Sequence, residues 1–316
     1  MANNNRLRGV RALAPLRLGL AGGGTDVSPY SDQYGGCILN ATIDLFAYAN
    51  IEPRDDGKVV LEALDLKERF EGEAAAPFPR DARLALHRGV YDRVMRDFNG
   101  GERIPLTLTT HGDAPVGSGL GSSSAMVVAM LTAFVDLLGL PLGEYDVAHL
   151  AYEIERVDLA MQGGKQDQYA ATFGGFNYME FHADRVIVNP LRVRSEAMRE
   201  IEYNMTLYYL GSSRVSSEII ASQIRNVRTG KSRSIEAMHR LKEQAVLQKE
   251  ALLKGDLRRF GQLLSYGWEH KKEMSEKISN DTIERVHARC IEAGALGVKV
   301  SGAGGGGFMM IYSDGY

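Results

Sequence analysis

Apolar and polar positions along this chain change period repeatedly, and the changes mark out a mixed set of strands and helices. From residue 9 to 21 (G-V-R-A-L-A-P-L-R-L-G-L-A) apolar residues alternate with Arg11, Arg17 and small residues, as along a strand. Residues 36–53 read as one strand or a bulged pair, residues 56–71 as a hairpin, and residues 103–111 as a further strand. Helical spacing takes over at residues 80–98 (Leu84, Leu86, Val90, Val94, Met95), and the apolar run Met126–Leu140 is long enough for a helix. A second helix is expected over residues 145–162. There Leu150, Ile154, Val157 and Met161 make one apolar stripe, while Ala148, Ala151, Tyr152 and Leu159 cover most of the opposite side. A helix apolar on two faces is buried on two faces. Glu155 falls within the second stripe, where a carboxylate needs a cation such as Arg156 or several donors.

Further on, residues 176–194 suggest hairpin strands turning at Asn189-Pro190. Glu202–Gly211 reads as a buried strand opening a second domain. Residues 216–254, 257–270 and 278–293 have helical patterns, and residues 298–300 and 308–312 close the chain as strands. Arg225, Arg228, Lys231 and Arg233 cluster around Gly230, either as a solvated helix end or as a grip for a phosphate.

Much of the chain's glycine (35 residues) is gathered into four clusters, which suggests loops that approach a ligand. Pro115–Ala125 reads P-V-G-S-G-L-G-S-S-S-A between a strand and a helix. Gly117, Gly119 and Gly121 let the backbone turn tightly, and the unpaired N–H groups at the helix head favour an anion. Ser122, Ser123 and Ser124 add hydroxyls that can cap the helix, hold a phosphate oxygen or ligate magnesium. Neither G-K-[ST] nor the third glycine of G-x-G-x-x-G is present, so this is neither a Walker loop nor a dinucleotide fingerprint. Gly22-Gly23-Gly24-Thr25-Asp26 carries one carboxylate, which either caps the turn or accepts hydroxyls of a polyhydroxylated ligand. In Gly163-Gly164-Lys165-Gln166-Asp167-Gln168-Tyr169, Asp167 lies just past a helix end with Lys165 nearby. It is a polar turn or an ionised base for a hydroxyl proton. The last cluster, Ser301–Gly307, joins two strands.

Composition removes several classes. A net charge of -3 at pH 7 gives no electrostatic footprint for nucleic acid. No apolar run approaches the ~20 residues of a membrane helix, and the N-terminus lacks the apolar core of a secretory signal. Cys37 and Cys290 are too few for a disulfide framework or a structural zinc site, which fits a reducing cytoplasm.

With the glycine-rich segments in hand, the chain resembles the GHMP kinases over about residues 9–313. A-P-L-R-L-G-L-A-G-G-G-T-D is similar to the first motif of that family, P-V-G-S-G-L-G-S-S-S-A to the second, ATP-binding one, and S-G-A-G-G-G-G to the third. G-G-G-T-D together with G-G-K-Q-D-Q-Y further resembles bacterial sugar kinases acting on D-glycero-D-manno-heptose 7-phosphate, with L-fucose kinases as near relatives. The resemblance implies an α+β, two-domain fold. An ATP-binding N-terminal domain would span 1–189, and a ferredoxin-like C-terminal sandwich 190–316, expected to lack the last helix and strand of the family. It also implies ATP- and Mg2+-dependent phosphorylation of the C1 hydroxyl of that heptose 7-phosphate, in GDP-heptose or surface-polysaccharide (capsule) synthesis.

By the same resemblance, Pro115, Gly117, Ser118, Gly119, Leu120, Gly121, Ser122 and Ser123 would bind ATP. Ser123 and Glu155 would hold magnesium. Asp167 would orient or deprotonate the sugar hydroxyl, with Arg17 supporting it or neutralising the phosphoryl group. Gly23, Gly24, Thr25, Asp26, Lys165, Gly304 and Gly305 would contact the sugar. Galactokinases have Gly-Glu-His before Thr-Asp where this chain has Gly-Gly-Gly, which opens the sugar pocket and argues against galactose. Candidate anchors for a distal phosphate are Arg11, Lys165, Arg214 and the 225–233 cluster. A free-sugar 1-kinase and a catalytically silent sugar sensor on the same fold are the alternatives. A cytoplasmic homodimer is expected from the family.

Overall fold

The computed structural model describes residues 8–79, 83–211 and 216–314. The chain begins with β1 (Val10–Ala21), α1 (Tyr30–Tyr34), β2 (Gly36–Pro53), β3 (Lys58–Ala63) and β4 (Glu68–Glu73). Next come α2 (Ala85–Phe98), β5 (Leu106–Gly112), α3 (Ser122–Leu138), α4 (Glu144–Glu153), a π-helical turn (Ile154–Asp158) and α5 (Gln166–Phe173). Then follow β6 (Phe176–Phe181), β7 (Val186–Pro190), α6 (Ser195–Asn204), β8 (Met205–Tyr209), α7 (Ser216–Arg228) and α8 (Ser232–Lys254). The last elements are α9 (Leu257–Met274), α10 (Asp281–Glu292), β9 (Gly297–Val300) and β10 (Phe308–Tyr312).

Compactness divides the chain into two interleaved units rather than at one point. The first comprises Met1–Leu16, Asp44–Pro115 and Ser122–Met161, and the second Arg17–Ile43, Val116–Gly121 and Gln162–Tyr316. In the first unit, strands run in the order β4-β3-β5-β2, with β3 and β5 parallel and the other neighbours antiparallel. Helices α2, α3 and α4 pack on one another. The run S-S-S-A-M-V-V-A-M-L-T-A-F-V-D-L-L is apolar nearly all round, so α3 is buried nearly all round. Edge-on contacts link Phe78 to Tyr91 and Tyr91 to Phe134, and the Arg103 guanidinium lies over both Phe78 and Tyr91.

In the second unit, residues 36–41 of β2 pair antiparallel with β6, and β6 with β7. A separate antiparallel sheet has the order β8-β10-β9. Its core joins Trp268 and Met274 of α9 to Met238 and Leu241 of α8, Ile219 of α7, Val298 and Val300 of β9, and Met309 of β10.

Three expectations need correction. The helix placed over 145–162 stops early. Its ladder shifts to i→i+5 bonding, with Leu159 N donating to Ile154 O at 3.0 Å, and Ala160 then turns left-handed at φ 51°. The extra residue in that turn rotates the apolar stripe, so Val157 (67%) and Met161 (36%) face solvent while Glu155 is fully buried. The hairpin of residues 176–194 turns at 182–185, and Asn189-Pro190 ends β7. Glu202–Gly211 is not a buried strand. Ala197, Ile201 and Asn204 are buried at helical spacing along α6, and β8 is an edge strand with Tyr208 and Tyr209 exposed.

Candidate active site

A polar cleft in the second unit, with about 560 Å³ of space partly open to solvent, gathers Arg17, Gly23, Gly24, Asp26 and Asp167 from among the sequence-derived candidates. Arg17 and Gly19 reach it from β1, Gly23, Gly24 and Asp26 from the following turn, and Gly164, Gln166 and Asp167 from the start of α5. Asp167 is in the first turn of α5, not merely past a helix end, so the helix dipole favours its charge. Arg17 is buried and clamps Asp167, Nε donating to Oδ1 at 2.8 Å and Nη2 lying 2.7 Å from the same oxygen. Its Nη1 donates to Gly119 O at 2.6 Å, and Gln166 Nε2 adds a third bond to Asp167 Oδ1 at 3.0 Å.

Asp26 is buried beside this pair. Its Oδ2 accepts from Gln166 N at 3.0 Å and its Oδ1 from Gly24 N at 3.3 Å. Burial raises its pKa, and the Asp167 charge adds to the rise against the lowering by these N–H donors. Gly164 has to be glycine for Asp26's sake, because a Cβ there would overlap the carboxylate. Gln166 Oε1 is buried with no hydrogen-bond partner, an acceptor in the cleft suited to a hydroxyl.

Two lysines that sequence reasoning passed over line the same cleft. Lys299 Nζ donates to Gly19 O at 2.5 Å and Leu20 O at 2.9 Å. Burial, with Lys271 and Arg17 nearby, pushes its pKa well down. Lys271 Nζ donates to Gly302 O, and burial followed by Arg17 lowers its pKa to about 8 against the pull of Asp26 and Asp167. The sequence did carry signals for both. Lys299 interrupts the buried strand G-V-K-V, and Lys271 continues the buried helical series Leu264, Trp268. Gln223, also in the cleft, sits between buried Ile219 and Val227 at i, i+4 spacing.

The second and third glycine runs meet backbone to backbone. Phe308 N donates to Ser118 O at 2.9 Å, and Ser301 Oγ to Gly119 O at 3.0 Å. A Cβ on Gly119 would come within 2.6 Å of Ser301 O, and φ there is 77°. Leu120 is buried, and its carbonyl accepts from Arg17 N at 3.0 Å. Gly117 and Gly121 have φ of 79° and 75°, as tight turns require. Gly302 and Ala303 reach the cleft, whereas Gly305 N bonds to Ile278 O at 2.8 Å and Gly304 packs on the same carbonyl.

In the first unit, Pro115 is exposed, and α3 opens with half-buried Ser122 and exposed Ser123. Ser124 Oγ donates to Glu155 Oε2 at 2.6 Å and Ser123 Oγ to Glu155 Oε1 at 3.3 Å. Arg156 Nη1 stands 3.7 Å from Oε1, so the expected partner is present beside the hydroxyls. A carboxylate and a hydroxyl are hard oxygen donors, which fits magnesium completed by phosphate and water. No group of three or more His, Cys, Asp or Glu able to hold a metal occurs among the described residues.

The remaining candidates lie elsewhere. Thr25 Oγ1 spends itself on the turn, 2.8 Å from Gly22 O and 3.0 Å from Cys37 O. Lys165 Nζ donates to His182 O at 3.0 Å and stands 3.5 Å from Asp32. Arg11 lies over the Tyr48 ring, and Arg225, Arg228, Lys231 and Arg233 are exposed and do not line the cleft. Arg214 lies outside the described residues.

The description "GHMP kinases N terminal domain" matches residues 85–175, and "GHMP kinases C terminal" matches residues 248–314. A Campylobacter jejuni protein named D-glycero-alpha-D-manno-heptose 7-phosphate kinase is 44% identical over 309 residues, 98% of this chain and 90% of its own length. A crystal structure from Bacteroides thetaiotaomicron, described as a D-glycero-D-manno-heptose 1-phosphate kinase, superposes with a TM-score of 0.80 at 46% identity. That match covers 96% of this chain and 88% of the other. The L-fucokinase/L-fucose-1-P guanylyltransferase of Bacteroides fragilis is 27% identical across 95% of this chain, which spans 34% of that larger protein. Among the described residues, no helix is long and apolar enough to cross a membrane.

Proposed function

This chain belongs to the GHMP kinases, and we propose that it transfers the γ-phosphoryl group of ATP to the C1 hydroxyl of D-glycero-D-manno-heptose 7-phosphate. One observation carries the reading. A carboxylate clamped by a buried arginine shares a cleft with a second, buried carboxylate, in a chain 44% identical to a heptose 7-phosphate kinase along its length.

The chemistry follows from those groups. Asp167 accepts the C1 proton as that oxygen bonds to the γ-phosphorus, the bond to the β,γ-bridging oxygen breaks, and ADP leaves. Arg17 holds the carboxylate in position and supplies positive charge where phosphoryl charge develops. Asp26 and Gln166 Oε1 accept sugar hydroxyls. Gly117, Gly119 and Gly121, with Ser118, Ser122 and Ser123, would follow the ATP phosphates. Ser123 and Glu155 would hold magnesium, which supplies charge neutralisation on the nucleotide when bound. Residues 1–189 and 190–316 would be the N- and C-terminal domains of the family. A cytoplasmic homodimer whose 1,7-bisphosphate product feeds surface-polysaccharide synthesis completes the proposal.

The test is ADP release with MgATP against D-glycero-D-manno-heptose 7-phosphate, mannose 6-phosphate, sedoheptulose 7-phosphate, L-fucose, galactose and mevalonate. The heptose 7-phosphate should dominate, with weaker turnover of mannose 6-phosphate. Preference for a free sugar would keep the kinase and overturn the substrate. ATP binding without turnover of any acceptor would point to a sensor.

A further inference from the structure

We propose that the Lys271 ammonium is a second cation of the reacting centre, placed to neutralise phosphoryl charge alongside Arg17; this rests on the kinase reading above. The geometry points there through a short chain of contacts. Lys271 comes from the last turn of α9, is 4% exposed, and its Nζ donates to Gly302 O. Gly302 lies against Gly119, so close that a Cβ on Gly302 would be 2.8 Å from Gly119 Cα. Gly119 O in turn accepts from Arg17 Nη1 at 2.6 Å, and Arg17 clamps Asp167. On the other side, a Cβ on Gly23 would stand 3.3 Å from Nζ, so the ammonium also borders the turn that carries Asp26. Its position is thus shared by the glycine loops, the candidate base and the candidate sugar carboxylate.

A buried lysine needs a reason to be there. The charged side chains that face Lys271 are Arg17 from β1, Asp26 from the turn after it, Asp167 from α5 and Lys299 from β9. Gln223 of α7 completes the polar wall. Three basic groups and two carboxylates line the cleft, and because burial pushes Lys299 toward its neutral form, the positive charge offered to an anion comes from Arg17 and Lys271. One carbonyl uses one of the three N–H donors of an ammonium, and the others suit phosphoryl oxygens. Burial lowers the pKa of Lys271 to about 8, so the charge is present below that pH and is lost as pH rises through it. Because kcat/KM reports the free enzyme, its alkaline limb should fall near pH 8.

The experiment compares wild type, Lys271→Met and Lys271→Gln on whichever acceptor the wild type turns over, so failure of the substrate reading and failure of this one are separable. Methionine keeps the stem without charge, while glutamine also keeps a donor for Gly302 O. Melting temperatures identify a misfolded variant, and the partner variant then carries the test. Both substitutions should lower kcat by about 10²–10³-fold, as loss of a group stabilising transition-state charge does. Each should leave acceptor KM within about threefold and abolish the alkaline limb. Full activity in Lys271→Gln would overturn the proposal, since the lysine would only be tethering Gly302. A rise in acceptor KM at unchanged kcat would overturn it as well, placing the ammonium on a distal phosphate.

Discussion

Replacing Gly164 by alanine probes the cleft with a single methyl group. The Gly164 backbone is outside the left-handed region, so alanine meets no conformational strain there. What excludes it is Asp26: the new Cβ would stand 2.9 Å from Oδ1 and overlap Cγ and Oδ2. The carboxylate must retreat by about 1 Å, and in doing so it loses the bond from Gln166 N, now 3.0 Å. A hydrogen bond to a charged group is worth about 1.5–3 kcal/mol. At 1.36 kcal/mol per decade, that predicts a fall of about 10- to 160-fold in kcat/KM for the acceptor. A coupled ADP assay with the acceptor varied at saturating MgATP measures it, and the KM for ATP should not move. The same substitution made in an Asp26→Ala background should cost less than about twofold, because the methyl then enters vacated space. Gly164→Ala within twofold of wild type, or a penalty that persists without Asp26, would refute the reasoning.

Two further outcomes are expected. Asp167→Asn should lower kcat by about 10²–10⁴ with the KM for ATP nearly constant; turnover within about threefold of wild type would remove Asp167 as the base. Glu155→Gln should raise the magnesium concentration for half-maximal activity by at least about tenfold, because it deletes the charge but keeps an acceptor for Ser124 Oγ. An unchanged magnesium titration would assign Glu155 to pinning the start of α3.

Strand periods were readable in β1 and the β3–β4 hairpin, and α3 was readable from the length of its apolar run. They misled where geometry depends on distant partners. The π turn at Ile154 moves Val157 outward through one shifted hydrogen bond, and no apolar spacing encodes that. In β8 the aromatic residues of M-T-L-Y-Y suit a strand, but its place at a sheet edge, which sets burial, is decided by β10. The site was half visible. Arg17, Asp26 and Asp167 stand beside glycine clusters that advertise close approach, and the structure brings all three to one cleft. Lys271 has no such neighbour, and Lys299, though two residues before the Ser301–Gly307 run, lies inside a fully buried strand. They enter from a helix end and a strand that sequence order separates from Arg17 by more than 250 residues.

That contrast has a physical source in the glycine runs. Each run looked like a loop reaching for a ligand, yet much of the glycine requirement is mutual. Ser301 O occupies the space of a Gly119 side chain, Gly119 Cα that of Gly302, and Ser118 O that of Gly307. Glycine is needed at these positions even with no ligand bound, because two backbones pass where side chains would otherwise be. The contact fixes Gly119 O for Arg17 and Gly302 O for Lys271, so the two cations are positioned by carbonyls of loops whose closeness only glycine permits. The spacing of glycines in the sequence therefore records a backbone junction, and the charged side chains converge because that junction aims the carbonyls that hold them.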